Sequence, residues 1–379
     1  MEENTAEKKV MNILPLGKGR RILLFLADFF LNFILAFILF FLVSFPLGKV
    51  FTSYNARNDA YTNNLNKRGY VLVSSEILIK CPTYELFDIT SHVDFTSDCF
   101  LSYYAMDEET QSNLKYQEFG HKEINQVFHK YFINILGDSD KFISLFDHYN
   151  EKYQYFERSG TTIVLKDEVK AQVYPSFFKN ESVSSLGNTY ITNIKNSVYY
   201  PMYSEIMDSI QKNDLVYGDY SYNTLQSQIK LFEKYIYDLI QYTSLITVFI
   251  STAVLYLIIP LANRSHKTIG MIIMKIEKVN IHSLNYIKKP VVGLSFVYQL
   301  FLVFLICFFI PMTSLSFVEM FKIQSLFILG IFSILMMLIN LIYLLFDKFN
   351  RTLFDRLLSA IHLPTSELDD VYRAKGYYV

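Results

Sequence analysis

"ILLFLADFFLNFILAFILFFLVSF", residues 22–45, decides the fold. Its one formal charge is Asp28, and its length matches the ~20 residues that an α-helix needs to cross ~30 Å of hydrocarbon. Backbone groups in lipid have no water to satisfy them, so such a segment has to be helical. Residues 239–262, 291–315 and 323–346 are as long and as apolar, and none carries a formal charge. Basic residues precede the first run, as they do in a secretory leader. The run is too long for one, and "FPLGKV" (45–50) offers no small-x-small cleavage site, so it reads as an uncleaved anchor.

Composition agrees. Of 379 residues, 51% are hydrophobic and 17% aromatic, with a positive mean hydropathy, too apolar for a soluble chain of this size. The positive-inside rule sets the expected orientation. Residues 1–21 hold Lys8, Lys9, Lys18, Arg20 and Arg21, the 263–290 loop holds six Lys or Arg, and the 347–379 tail holds five, whereas the 316–322 loop holds only Lys322. Both termini and the 263–290 loop are therefore expected in the cytoplasm, with residues 46–238 outside. Residues 51–235 carry 17 basic and 24 acidic side chains, leaving 18 and 12 for the remainder. That division disfavours nucleic acid as a partner and matches a basic face on anionic lipid.

The 46–238 segment is long enough to bury a core of its own. "YVLVSSEILIK" (70–80) and "TTIVLKDEVKAQVY" (161–174) alternate and are β-branched, which predicts strands; "KEINQVFHKYFINILG" (122–137) and "SDKFISLFDHYNEKY" (139–153) have helical spacing. The expected architecture is an α-helical integral membrane protein: a four-helix transmembrane bundle with a mixed α+β extracellular domain. From Asn223, Leu225, Ile229, Phe232, Ile236 and Leu239 carry a helix without Gly or Pro into the second span.

Cys307 lies within the third span and reads as a small apolar residue. Cys81 and Cys99 both fall outside, where a disulfide would add ~3 kcal/mol; a bridge and two buried thiols are both open. No HExxH, CxxC, GxSxG or phosphate-cradling glycine loop occurs. His121 and His129 are too far apart for one metal, so the residues offer no catalytic set, metal site or cofactor motif.

Polar residues at the spans are more informative. Two helical turns bring Arg21 and Asp28 to one face, ~10 Å apart along the axis. A carboxylate at that depth costs ~2.5–3.5 kcal/mol unless paired or protonated, so Asp28 should face other helices, with Arg351 or Arg356 as partner. "DKFNRTLFDRLLSAIHL" (347–363) places Asp347, Arg351 and Asp355 at four-residue steps opposite Leu353, Leu357, Leu358 and Ile361, which predicts an amphipathic helix along the interface. In "HKTIGMIIMKIEKVN" (266–280) the lysines fix a cytoplasmic turn, Gly270 permits it to be tight, and Ile269, Ile272, Ile273 and Ile276 settle into the interface.

"RRILLFLAD" (20–28), "KTIGMIIMKIEKV" (267–279) and "NRTLFDRLLSAIHL" (350–363), in this order around the spans, resemble the three signatures of the RDD family of bacterial membrane proteins. The resemblance covers residues 15–48 and 239–365. It makes Arg21, Asp28 and Asp355 the arginine and two aspartates of the family's name, Thr268 and Gly270 its Thr-x-Gly-Lys turn, and Lys275–Val279 its basic, strand-like end. Met271 stands where the family has lysine and Phe354 where it often has histidine, and the large exterior segment is not part of the family domain. The resemblance implies a multi-pass protein of the bacterial plasma membrane, and transport, including cation and proton antiport, as the activity. With four spans per copy, a homo-oligomer or other membrane subunits would be needed to enclose a pathway. A sensor that signals from an exterior ligand through the second span is the alternative, and an enzyme of the cell envelope, for which no motif exists, comes last.

Overall fold

The computed structural model describes residues 14–106, 131–159, 162–178, 184–310 and 324–374. Four of its helices are long and apolar enough to cross a membrane: Lys18–Phe51, Tyr222–Ala262, Lys289–Phe309 and Ser325–Phe346. The chain divides into two compact units, Met1–Tyr54 with Lys234–Val379, and the inserted Asn55–Glu233. Residues 122–130, 311–315 and the 316–322 loop, on which sequence expectations fall, lie outside the described residues, as do His121 and His129.

In the membrane unit the first and second spans meet through small polar residues. Thr243, Ser244, Thr247, Ser251 and Thr252 are buried; Thr243, Thr247 and Ser251 donate their hydroxyls to carbonyls three or four residues back, which satisfies them within the helix, whereas Ser244 Oγ has no partner among the described residues. Asn32 Nδ2 donates to Thr252 Oγ1 at 3.0 Å. A Cβ at Gly48 would meet Thr243 Cγ2 at 2.7 Å, so glycine is what lets the two helices approach there. Ser333 Oγ donates to Leu302 O at 2.5 Å between the fourth and third spans. Wide π-helical turns at Phe40–Ser44, Lys195–Tyr199 and Val254–Ile258 each come just before a proline, Pro46, Pro201 and Pro260. Proline lacks an N–H and crowds the carbonyl four residues back, and a wider turn relieves both defects without ending the helix.

Among the described residues six strands form three two-stranded antiparallel sheets: β1 (Phe156–Ser159) with β2 (Thr162–Leu165), β3 (Val216–Tyr217) with β4 (Tyr220–Ser221), and β5 (Ile276–Asn280) with β6 (Ala360–Pro364). The last belongs to the membrane unit, with Lys278 opposite His362 and Val279 opposite Ile361. It replaces the amphipathic helix expected over 347–363. Only Leu353–Leu357 is helical there, and Ala360–Leu363 is buried on both faces. Leu363 and Ile361 pack with Val279, Leu284 and Leu368 on one side; Ile276 packs with Leu16, Leu24 and Met271 on the other.

The inserted unit is mostly helical around an aromatic core. Ring centroids lie 5.1 Å apart for Phe100 and Tyr104, 5.2 Å for Tyr104 and Phe156, and 5.1 Å for Phe146 and Phe156, the tilted and edge-on distances aromatic pairs prefer. The helix expected over 139–153 is Ser139–Asn150, capped by Asp138. The strand expected over 70–80 is not formed: residues up to Ser74 end the helix Tyr54–Ser74, where Val71 and Leu72 are fully buried. Tertiary burial outweighs the β-branched preference there. Over 161–174 only Thr162–Leu165 is strand; Asp167 and Glu168 then open the helix Asp167–Phe178, whose Val169 and Val173, four apart, face the core. Cys81 and Cys99 are buried free thiols, and burial, with Asp98 and Cys81 adding, pushes the Cys99 thiol up to about 12.

Candidate functional site

Asp28 emerges from the first span against the loop after the second. Its Oδ2 accepts from the Thr268 hydroxyl at 2.7 Å and its Oδ1 from the Gly270 amide at 2.8 Å. Thr268 in turn caps the helix Ile269–Met274 by accepting from Met271 N. Asp28 therefore pairs with this helix start and not with Arg351 or Arg356. Gly270 owes its identity to the same contact, because a Cβ there would lie 2.5 Å from Asp28 Oδ1. The reason for glycine is close approach, not the tight turn expected from sequence. The residue that turns is Lys275, left-handed at φ 53°, which closes the helix and leads into β5. Ile276, expected at the interface, is fully buried.

Arg21, two turns earlier on the same face of the first span, forms a buried ion pair with Asp355. Asp355 also meets Lys278 Nζ at 3.1 Å and accepts from the Thr352 hydroxyl at 2.8 Å and the Thr352 amide at 3.3 Å. Thr352 reciprocates by accepting from the Asp355 amide, so a capping box at a five-residue helix aims this carboxylate. Burial would raise the Asp355 carboxyl; Lys278 and Arg21 outweigh it and hold it far below the usual carboxylate range. His362, opposite Lys278 in the sheet, is held well below its ordinary value by burial and by Arg21, so it is neutral. Arg351 is elsewhere: its guanidinium grips Asp347 with two bonds of 3.0 Å, outside any helix, so the expected charged ladder along one helical face does not form.

These groups line a cavity of about 290 Å³ within the membrane unit. Its polar wall is Arg21, Lys278, Asp355 and His362, joined by Tyr298, Gln299 and Asn340. Tyr298 donates to Asn340 Oδ1 at 2.5 Å and stacks on Phe354, centroids 4.3 Å apart. Of the residues expected from sequence, Arg21, Asp28, Thr268 and Asp355 reach the cavity wall, whereas Lys275 and Arg351 do not line it. Lys278, His362, Tyr298, Gln299 and Asn340 were missed. The last three carry a legible signal, being polar side chains within apolar spans. Among the described residues no group of three or more His, Cys, Asp or Glu side chains is placed to hold a metal ion. Set against protein-family models, curated proteins and solved structures, the chain matches none.

Proposed function

We propose that the chain is a transport protein of RDD type, or the membrane subunit of a transport system, with the cavity as its working site. The observation that carries this reading is the burial of Arg21, Lys278 and Asp355 around an interior cavity of a four-span unit. Ionisable groups at membrane depth are costly, and where they occur they face bundle interiors and mark the paths of ions and solutes. The family reading is supported by convergence of its three segments, Arg21 on Asp355 and Asp28 on Thr268 and Gly270. On this reading both termini lie in the cytoplasm of a bacterium, the cavity lies in the cytoplasmic half of the plasma membrane, the inserted unit is extracellular, and copies associate to complete the pathway.

Alternating access is testable without knowing the cargo. Ser295, on the cavity wall, is replaced by cysteine in a chain lacking the three native cysteines, and a membrane-impermeant maleimide is applied to right-side-out and inside-out vesicles. Transport predicts labelling from both faces; labelling from one face only overturns it.

A second reading has one observation behind it. The boundary between the two units falls inside the unbroken helix Tyr222–Ala253, so an exterior ligand has a continuous helical segment leading to the membrane. If the inserted unit signals this way, removing residues 60–220 changes the labelling rate of Ser295→Cys; an unchanged rate removes the sensor reading.

A further inference from the structure

Hydrogen bonding around the cavity does not close on the protein alone. Asp355 already accepts from Arg21, Lys278 and Thr352, and Asp28 from Thr268 and Gly270. These two carboxylates are thus committed, whereas the Arg21 Nε–H has no partner although the side chain is only 9% exposed. Lys278, a three-proton donor 7% exposed, lies beside it. Neutral His362 adds no charge. Donors are in surplus, so the group that completes this end of the cavity is an acceptor, and a buried guanidinium and ammonium favour an oxyanion. Gln299 Oε1 is also unpartnered on the wall, open to a hydroxyl of the same ligand.

The rest of the wall is apolar, with Phe25, Val292, Leu302, Met337 and Leu344 prominent. It also reaches the outside of the bundle. Leu26 of the first span and Leu341 of the fourth both line the cavity and are 40% and 39% exposed. The gap between these spans closes at one end, where Lys18 Nζ donates to Leu345 O at 2.7 Å. A volume of 290 Å³ holds roughly ten groups the size of water, enough for a head group and the first carbons of a chain.

We propose that the cavity binds an amphiphile with an anionic oxyacid head, a phosphate or carboxylate on a hydrocarbon chain, its head on Arg21 and Lys278 and its chain passing out between the first and fourth spans. This names the class of cargo for the transport reading and rests on that reading only for the ligand's movement.

The test uses the full-length protein in dodecyl maltoside and tritiated lysophosphatidic acid as probe. Saturable retention is expected, with neither lysophosphatidylcholine of the same chain length nor inorganic phosphate competing. Arg21→Gln should weaken retention about tenfold. Because Arg21 also holds Asp355, a second variant, Met337→Trp, fills the apolar wall away from the charges; it should weaken retention about tenfold at an unchanged melting temperature. Equal competition by lysophosphatidylcholine overturns the proposal. So does competition by inorganic phosphate with Met337→Trp silent, which would make this a site for the free anion. Loss of lysophosphatidic acid binding with two-sided Ser295→Cys labelling intact removes the cargo and leaves transport; binding with one-sided labelling does the reverse.

Discussion

Gly270 and Asp28 hold the first span to the loop after the second through two hydrogen bonds of ordinary length and one missing methyl group. Gly270→Ala should therefore cost about 1–3 kcal/mol, read as a lower melting temperature in detergent, and Asp28→Ser, with a shorter side chain, should restore part of the loss in the double variant. Asp28→Asn keeps the shape but presents an amide donor to one of two donors, and a similar loss of about 1–3 kcal/mol is expected. His362 supplies a pH dependence. Burial and Arg21 disfavour its protonation in the folded chain, so below about pH 6.5 the unfolded chain binds more protons and stability falls with acidification. The melting temperature should drop from about pH 7.5 to about pH 5.5, and His362→Gln should flatten the drop. Burial lowers His92 as well, so His92 contributes the same trend from the inserted unit and its removal should flatten the drop further. The resemblance picked out Arg21, Asp28 and Asp355, but not which pairs with which. Spacing places Arg21 and Asp28 on one face; only the depth and register of β5 against β6 put Asp355 and Lys278 beside Arg21.

At the level of elements, the segments 276–280 and 360–364 show how far periodicity reads. "IEKVN" does not alternate, and only the family resemblance marks it as a strand-like end, whereas "AIHLP" sits at the end of a stretch with four-residue charge spacing and reads as helix. What decides is pairing: β5 supplies a ladder to β6, and Leu16 N donates to His362 O at 3.0 Å on its other side. Neither partner is visible from the segment itself. Strand residues 70–74 fail for the converse reason, since Gly69 lets the helix pass Leu86, whose carbonyl oxygen a Cβ would meet at 1.9 Å. The sheet also buries Glu277, which forms an ion pair with Lys267 and is 3% exposed. Lys267→Ala leaves that carboxylate unpaired and should cost about 3–5 kcal/mol, while Lys267→Met with Glu277→Leu should recover most of it. A double-mutant cycle on melting in detergent checks the coupling.

Across the whole molecule, the four spans were legible because apolar length is a local property. The helix Tyr222–Ala253 was also legible, from an unbroken repeat that starts well before the hydrophobic run. The interior of the inserted unit was not, since its aromatic core assembles residues from Phe100 to Tyr222. Removing residues 60–220 should leave a chain that still inserts, because the ties Arg21–Asp355, Asp28–Gly270 and Leu16–His362 all lie within the membrane unit; carbonate-resistant membrane association is the measurement, and loss to the soluble or aggregated fraction contradicts it. One of those ties has a temporal consequence. Arg21 and Asp355 are 334 residues apart, so a ribosome delivers the arginine first and its counter-ion only after the second, third and fourth spans have been made. Until then the nascent chain carries a cation without its mate, and a chain that stops short of Asp355 keeps it so.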